Sequence, residues 1–382
     1  MLELLPITIF SFAMAGFSHT HSKYKNKLEN HETKDKLFYF IMAIAMVLFV
    51  GLRTKYNDTG TYIDTYVYLT PNTLPVLSEI DWSIGSNPAF NLVNWIIKYL
   101  GFSSQDFLML YAVITISIYL WFIRKYTSNI WLSVFLLFTT GTYLFSLAAI
   151  KQCISIAFSL VAVDRFLNKK YIRFIIWIII AMLFHPYAVM YLIVPLLIYK
   201  PWTKATYVSL VVFGIAGIFL QRMLGTIVDI TSLLGEEYNT DSFSGDGVNP
   251  LRVAVCAAPM ILSFFIQKYL KSKETSLAEN LFLNLTFINA EIMFVGLFGT
   301  ANYFARLANY FLIFQCLSIP FLLNNIDKKS RKTITFLVIA LYLPYYYYEY
   351  ALSNGAFDNN FDSTKLSEYI KSHEYLLQKL NK

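Results

Sequence analysis

Apolar runs of roughly 17 to 22 residues recur along the chain, and short charged stretches separate them. Each run is close to the ~20 residues that an α-helix needs to cross a ~30 Å hydrocarbon core. The pattern therefore predicts an all-α, polytopic integral membrane protein with about twelve transmembrane helices. It excludes soluble Rossmann, TIM-barrel and zinc-finger classes.

The same pattern predicts the domain organisation. Residues 1–350 form a single transmembrane helical domain, and residues 53–104 and 223–250, which lack a spanning signal, are its outer loops. Residues 351–382 form a C-terminal tail. Apolar positions from residue 362 onward recur at helical spacing, which indicates an amphipathic helix on a side of the membrane that the sequence leaves open.

Charge gives the orientation. Most Lys and Arg residues fall in one set of loops, including 23–36, 165–173 and 328–332, and the positive-inside rule makes these loops cytoplasmic. The N-terminus and the loop 53–104 are then outside. Residues 88–100 begin and end outside and are too few to cross, since a span needs about 17 residues or more, which predicts a re-entrant or interfacial helix.

Composition agrees with this class. The chain of 382 residues is 57% hydrophobic and 14% charged, with a net charge of +7. Because the cations lie in short loops and form no stripe interleaved with aromatic residues, they indicate topology, and no nucleic acid partner is expected. Cys153, Cys256 and Cys316 lie in or beside apolar segments too far apart for a metal site, and we expect them to be packing residues.

The first candidate for chemistry follows the second apolar run. Arg53 and Lys55 at this membrane exit are suited to a phosphate or diphosphate. Asp58 is a candidate general base or a ligand for a sugar hydroxyl, and Tyr62 is a candidate face for stacking on a sugar ring. The alternative is an interfacial anchor of aromatic and basic residues.

Two further candidates lie within apolar sequence. Lys151 and Gln152 stand between two apolar runs, where a cation is costly without an anionic partner. His185 precedes Pro186, so it is expected at a helix break inside an outer crevice, where it is a candidate proton acceptor or substrate ligand. The alternatives are a snorkelling Lys151 and a hydrogen-bonded break residue at His185.

Three more arginines, Arg222, Arg252 and Arg306, fall at predicted outer helix ends against the inward-positive bias. Binding a lipid-linked diphosphate explains them. Surface pairing with the acidic loop 223–250 is the alternative. That loop is also a candidate for binding a metal ion, although no residue is assigned as a metal ligand.

Taken in order, these motifs resemble those of the Wzy/EpsG-type polysaccharide polymerases over roughly residues 40–325. The shared motifs are Arg53 followed by Asp58-Thr59-Gly60-Thr61-Tyr62, the segment 87–95, Lys151-Gln152, Asn168-Lys169-Lys170, Phe184-His185, and Tyr303-Phe304-Ala305-Arg306. Lys151 stands where the family has Arg, so a point charge replaces a bidentate fork.

The resemblance implies an enzyme of the bacterial plasma (inner) membrane that polymerises undecaprenyl-diphosphate-linked oligosaccharide repeat units into exopolysaccharide, capsule or O-antigen on the outer face. It implies Asp58 or His185 as the base. The residues assigned to substrate are Arg53, Tyr62, Lys151, Gln152, Arg222, Arg252 and Arg306. The lipid diphosphate is already a good leaving group, so no cofactor is expected. The lipid bilayer is a partner, and the flippase and chain-length regulator of the same pathway are candidate partners.

Two other classes stay open on the residues alone. A membrane O-acyltransferase also uses an intramembrane His, but it takes its acyl donor from the cytoplasmic side, whereas His185 is predicted outside. A lipid-linked oligosaccharide flippase needs a cation-lined cavity, but it is expected to show two repeated halves, and the sequence has no visible repeat.

Overall fold

Long apolar helices joined by short connectors dominate the computed structural model. The structure describes residues 2–29, 36–71, 73, 78, 80–235, 247–272, 274–352 and 357–380. Helices make up 80% of it and strands almost none, which confirms the all-α class.

The elements are almost all helices and are not divided into separate layers. In chain order the helices are α1 (Leu5–Glu29), α2 (Leu37–Gly51), α3 (Thr59–Val67), α4 (Pro88–Tyr99), α5 (Ser104–Tyr126), α6 (Ile130–Thr139), α7 (Thr142–Ala148), α8 (Ile150–Leu167), α9 (Tyr171–Phe184), α10 (Lys204–Ile218), α11 (Leu220–Leu233), α12 (Pro250–Phe265), α13 (Gln267–Ser272), α14 (Leu277–Val295), α15 (Ala301–Leu312), α16 (Gln315–Asn324), α17 (Lys328–Tyr347), α18 (Phe357–Asn360) and α19 (Leu366–Leu380). Short 3₁₀ helices lie at Ile84–Ser86 and Pro186–Leu196, a π-helix at Tyr348–Leu352, and strands at β1 (Arg53–Lys55) and β2 (Asp362–Ser363).

The number of spans differs from the expectation. Within the described residues, α5 is long and apolar enough to cross a membrane alone, and three bent pairs pass the same test together: α6–α7, α10–α11 and α15–α16, bent by 48°, 98° and 50°. Length and composition thus support one to four spans, and the expected total of about twelve is not confirmed. Several other apolar helices, such as α2, α9 and α12, are shorter than a span.

Local sequence explains two of the helix breaks. Gly141 separates α6 from α7 with φ of 84°, a left-handed conformation that glycine adopts without strain. Pro186 has no N–H and disfavours helical dihedrals at the residue before it, so α9 ends at Phe184 and His185 is extended, with φ −161° and ψ 124°. The helix break predicted at His185 is confirmed.

The core centres on α8, which is buried along most of its length and packs between α5 and α9. At one end of α8, Asp164 is 1% exposed and pairs with Lys125 of α5. At the other end, α8 begins next to α7, and the candidate residues Lys151 and Gln152 lie in the first turn of α8. The buried helix therefore positions these two side chains from a rigid base.

The C-terminal tail packs against the start of the predicted outer loop. Strand β2 pairs antiparallel with β1, and the Thr364 N–H donates to the Leu52 carbonyl at 2.9 Å. Asp358 accepts hydrogen bonds from the backbone N–H groups of Leu2 and Glu3. The N-terminus, β1 and the tail therefore lie at one end of the molecule, which settles the tail's end relative to β1. The division into a domain at 1–350 and a tail stays a prediction.

A short helix, α4, lies where the re-entrant or interfacial segment is predicted. It begins after Asn87, whose φ is 55°, and Asn94 on its buried face accepts a hydrogen bond from Tyr111 of α5 at 3.0 Å. Lys98 near its end lies 4.9 Å above the Tyr66 ring. The helix is confirmed, and its depth in a membrane stays a prediction.

Candidate functional site

Arg53 ties the first candidate loop to the helix core. Its side chain is 2% exposed, and its Nε donates to Thr59 Oγ1 at 3.1 Å. Thr59 in turn donates to the Leu147 carbonyl at the end of α7 at 3.2 Å. Burial lowers the pKa of Arg53 to about 10, so it remains charged at neutral pH. Arg53 thus holds the start of α3 in place and adds a buried positive charge next to it.

Asp58 and Arg306 form an ion pair beside the start of α3. Asp58 directly precedes α3, and its Oδ2 lies 3.9 Å from a terminal nitrogen of Arg306 on α15. The two side chains are 52% and 49% exposed. A half-exposed ion pair contributes little to stability, so either partner exchanges readily for a substrate group. Gln152 Nε2 donates to the Arg306 carbonyl at 2.6 Å and fixes this part of α15.

Lys151 and Tyr62 complete the group, and both lie against the ring of Phe90 on α4. The Lys151 Nζ lies 5.2 Å from the centre of the Phe90 ring, and the Tyr62 ring lies 5.9 Å from it. Burial, and then the negative charge of Asp58, raise the pKa of Tyr62 to about 12, while a hydrogen bond with the Lys151 backbone acts in the opposite direction. Tyr62 therefore keeps its hydroxyl proton and is a hydrogen-bond donor at neutral pH.

His185 lies at the same end, between α9 and the 3₁₀ helix that follows. Its Nδ1 is 2.8 Å from the Tyr310 hydroxyl, and its carbonyl accepts from Ser155 of α8 at 3.3 Å. Lys151 and Arg306 are near enough to act on it electrostatically. In the tautomer whose Nδ1–H donates to Tyr310, Nε2 is free of a proton and serves as an acceptor.

The structure thus brings six of the nine candidates into one group, with Arg53 buried beneath it. Those six are Asp58, Tyr62, Lys151, Gln152, His185 and Arg306. Arg252 lies beside it, with a terminal nitrogen 3.5 Å from Asn309 Oδ1, one turn after Arg306. Arg222 lies on α11 with its guanidinium 5.5 Å from the Phe219 ring, outside the group.

Sequence reasoning missed two partners of His185. Tyr310 follows Arg306 by four residues, so the two share one face of α15, and this spacing was a readable signal. Ser155 follows Lys151 by four residues on α8 in the same way. Neither residue was singled out because Ser and Tyr are common inside helices.

The described residues contain no group of three His, Cys, Asp or Glu side chains that could hold a metal ion. Four of the five acidic residues of the loop 223–250, Glu236, Glu237, Asp241 and Asp246, lie outside the described part of the chain. The buried cysteines, Cys153, Cys256 and Cys316, are unbridged.

Comparison with known proteins adds the family. No curated protein and no solved structure matches the chain. The EpsG family matches it over residues 36–369, which includes every candidate residue and nearly all of the apolar helices. These polymerases are membrane proteins, in agreement with the apolar helices. The chain therefore belongs to the EpsG family, a family of Wzy-type polysaccharide polymerases.

Proposed function

We propose that this polymerase joins undecaprenyl-diphosphate-linked oligosaccharide repeat units into exopolysaccharide, capsule or O-antigen on the outer face of the bacterial plasma membrane. One observation carries the proposal. Two cations, Lys151 and Arg306, stand with two candidate bases, Asp58 and His185, in one group at a single end of the helix bundle, where Asp58 and Arg306 are half exposed.

The reaction needs this combination of groups. A hydroxyl of the acceptor sugar attacks the anomeric carbon of the lipid-linked donor, and a base takes the hydroxyl proton. A new glycosidic C–O bond forms, the C–O bond to the diphosphate breaks, and the lipid diphosphate leaves with its electron pair. Cations beside the departing diphosphate stabilise the charge that develops on it.

Each side chain receives a role from its position. Lys151 and Arg306 bind the diphosphate, and Arg53 adds positive charge from below while it holds α3 in place. Gln152 positions Arg306 through the backbone. Tyr62 donates its hydroxyl to a sugar. Arg252 lies beside the group and Arg222 lies outside it, and both are assigned to outlying parts of the lipid-linked substrate.

Partners and location follow from the same chemistry. The donor reaches the group from the lipid bilayer, and the flippase that delivers it outside and the regulator of polymer length act beside the enzyme. The polymerase is a multi-pass protein of the inner membrane with its active site facing outside.

The decisive experiment analyses lipid-linked glycans in a strain that lacks the gene. We expect single repeat units to accumulate on the outer face, with polymer restored by the unmodified gene. A gene that encodes the Arg306→Ala variant should fail to restore polymer. The control variant Arg173→Ala, which removes an exposed cation at the first turn of α9, should restore it. Repeat units that accumulate inside would indicate a flippase, and polymer of normal length but without acyl groups would indicate an acyltransferase.

A further inference from the structure

A large cavity lies at the opposite end of α5 from the candidate site. Gln105 in the first turn of α5 donates to the Arg53 carbonyl at 3.2 Å, and α5 then runs to Tyr126. At 1.5 Å per residue, the cavity is about 30 Å from Arg53. Its volume is about 1360 Å³, and its walls come from α1, α2, α5, the connector after α5 and the ends of α6 and α16. It is therefore separate from the group around Asp58.

The cavity is cationic. Its walls carry His19, Lys36, Arg124 and Lys125, and none of the described residues that line it is acidic. Lys125 also pairs with Asp164, and Lys36 and Arg124 add two further cations to the lining. Cations that converge on one cavity favour an anionic ligand, and a guanidinium is well suited to phosphate oxygens.

Helix ends add to this preference. The helix α2 begins at Leu37, and Lys36 directly before it lines the cavity, so a helix N-terminus, which favours anions, lies at the cavity wall. The Arg124 guanidinium lies 5.7 Å above the ring of Tyr39, which donates its hydroxyl to the Leu120 carbonyl at 2.7 Å. Arg124 is therefore held on a fixed aromatic surface.

The depth of the cavity indicates a lipid. By itself α5 is long and apolar enough to cross a membrane, and Arg124 and Lys125 lie in its last turn, where head groups begin. Apolar side chains extend from the rim, since Phe40 and Trp121 line the cavity and are exposed, and Ile44 continues the surface one turn along α2. A ligand with a phosphate and acyl chains matches both surfaces.

We propose that this cavity binds the phosphate head group of an anionic phospholipid, with its acyl chains along α2 and α5. Basic pockets between membrane helices are suited to such head groups. The site is distinct from the lipid-diphosphate site proposed at the other end, and its loss is expected to leave the chemistry around Asp58 intact.

Native mass spectrometry of the full chain in detergent tests the proposal. We expect phosphatidylglycerol to bind and phosphatidylcholine and inorganic phosphate to bind far more weakly. The double variant Lys36→Gln/Arg124→Gln should weaken phosphatidylglycerol binding by about 25-fold, about fivefold for each cation. The control Lys170→Gln/Arg173→Gln removes the same charge at exposed positions outside the cavity and should bind normally.

Equal losses in both double variants would reduce the effect to net charge and overturn the site. Occupancy by inorganic phosphate equal to that by phosphatidylglycerol would overturn the lipid assignment. If the double variant fails to fold, quenching of Trp121 fluorescence by brominated lipids in the otherwise unmodified protein gives the answer. We expect brominated phosphatidylglycerol to quench more than brominated phosphatidylcholine, with the difference absent in Trp121→Phe; equal quenching would contradict the proposal.

Discussion

Lys151 is the residue on which the proposed diphosphate contact depends, because it adds a second cation to the group around Asp58 and Arg306. We expect Lys151→Ala to lower polymer formation by about 10²- to 10³-fold, the usual cost of removing one group that stabilises developing charge. Lys151→Arg should retain or raise activity, since a guanidinium supplies two parallel donors. Polymer made from purified lipid-linked repeat units in nanodiscs measures both effects.

The matched control for Lys151 is Lys98, which also lies over an aromatic ring in the same outer region, 4.9 Å above Tyr66. Lys98→Ala should keep most of the activity at equal protein level. If Lys151→Ala makes as much polymer as Lys98→Ala, then Lys151 is only a snorkelling cation and the diphosphate contact is elsewhere.

Asp58 and His185 compete for the role of general base. A base contributes about 10² to 10⁴ in rate, whereas a residue that only orients the sugar contributes less. Asp58 is half exposed beside Arg306, while His185 already contacts Tyr310, so we expect Asp58→Asn to be the more damaging change. In the same assay His185→Gln should cost less. The reverse order of losses would make His185 the base and leave Asp58 a positioning role.

Single residues show where sequence reasoning stops. The order of motifs predicted that Asp58, Lys151 and Arg306 belong together, and the structure brings them to one place. Arg53 was expected to face the substrate, yet it is buried against Thr59. Residue type indicates charge, but the direction of a side chain depends on tertiary contacts such as that between Thr59 and Leu147, which lie far apart in the chain.

At the level of elements, the break between α6 and α7 rests on Gly141. A Cβ there would lie 2.2 Å from the Tyr350 hydroxyl, and the backbone is left-handed. We expect Gly141→Ala to lower the midpoint of thermal unfolding in detergent, because the αL conformation alone costs about 1 to 2 kcal/mol for a residue with a Cβ. Gly214→Ala is the control, since its Cβ meets nothing within 4 Å inside α10. An equal midpoint for both variants would contradict this reason for the break.

Hydropathy predicted which stretches are apolar but not how the backbone breaks within them. The 98° bend between α10 and α11 falls at Phe219, near the helix end predicted at Arg222, but no proline signals so sharp a change of direction. By contrast, the break at His185 was readable because Pro186 follows it. Breaks caused by packing between helices therefore escape a pattern based on composition alone.

The tail forms a clasp of two side chains on the first turn of α5. Tyr369 and His373 both contact Asp106 at 2.8 Å. A hydrogen bond with the Tyr369 backbone, and then the charge of Asp106, raise the pKa of His373. Because the pKa is higher in the docked state, docking is fully favoured below about pH 6.5, the ordinary pKa of histidine. It should weaken as pH rises through the raised pKa.

Hydrogen exchange of the β1–β2 pair measures this docking. We expect faster exchange at Thr364, whose N–H donates to the Leu52 carbonyl, as pH rises above neutrality, after correction for the intrinsic rate, and no such pH step in His373→Gln. Lys371→Gln changes an exposed neighbour outside the clasp and should keep the step. A step that persists in His373→Gln would assign the titration to another group.

At the scale of the whole molecule, neither the number of spans nor the end at which the tail lies could be predicted from the sequence, because both depend on contacts between distant segments. The structure places β1, the tail and the N-terminus at one end through the β1–β2 pair and Asp358. The cationic cavity beside Arg124 lies at the other end. The positive-inside rule then predicts that the first end is the outer one.

Cysteine labelling in intact cells tests this orientation. Thr70 and Ser367 are exposed at the proposed outer end, and Lys329 is exposed at the start of α17. We expect Thr70→Cys and Ser367→Cys to react with an impermeant maleimide in intact cells, and Lys329→Cys to react only after permeabilisation. Background should be low because the three native cysteines are buried. Reaction of Thr70→Cys without Ser367→Cys would separate the tail from β1, whereas the opposite pattern at all three positions would invert the molecule and move the proposed active site to the cytoplasm.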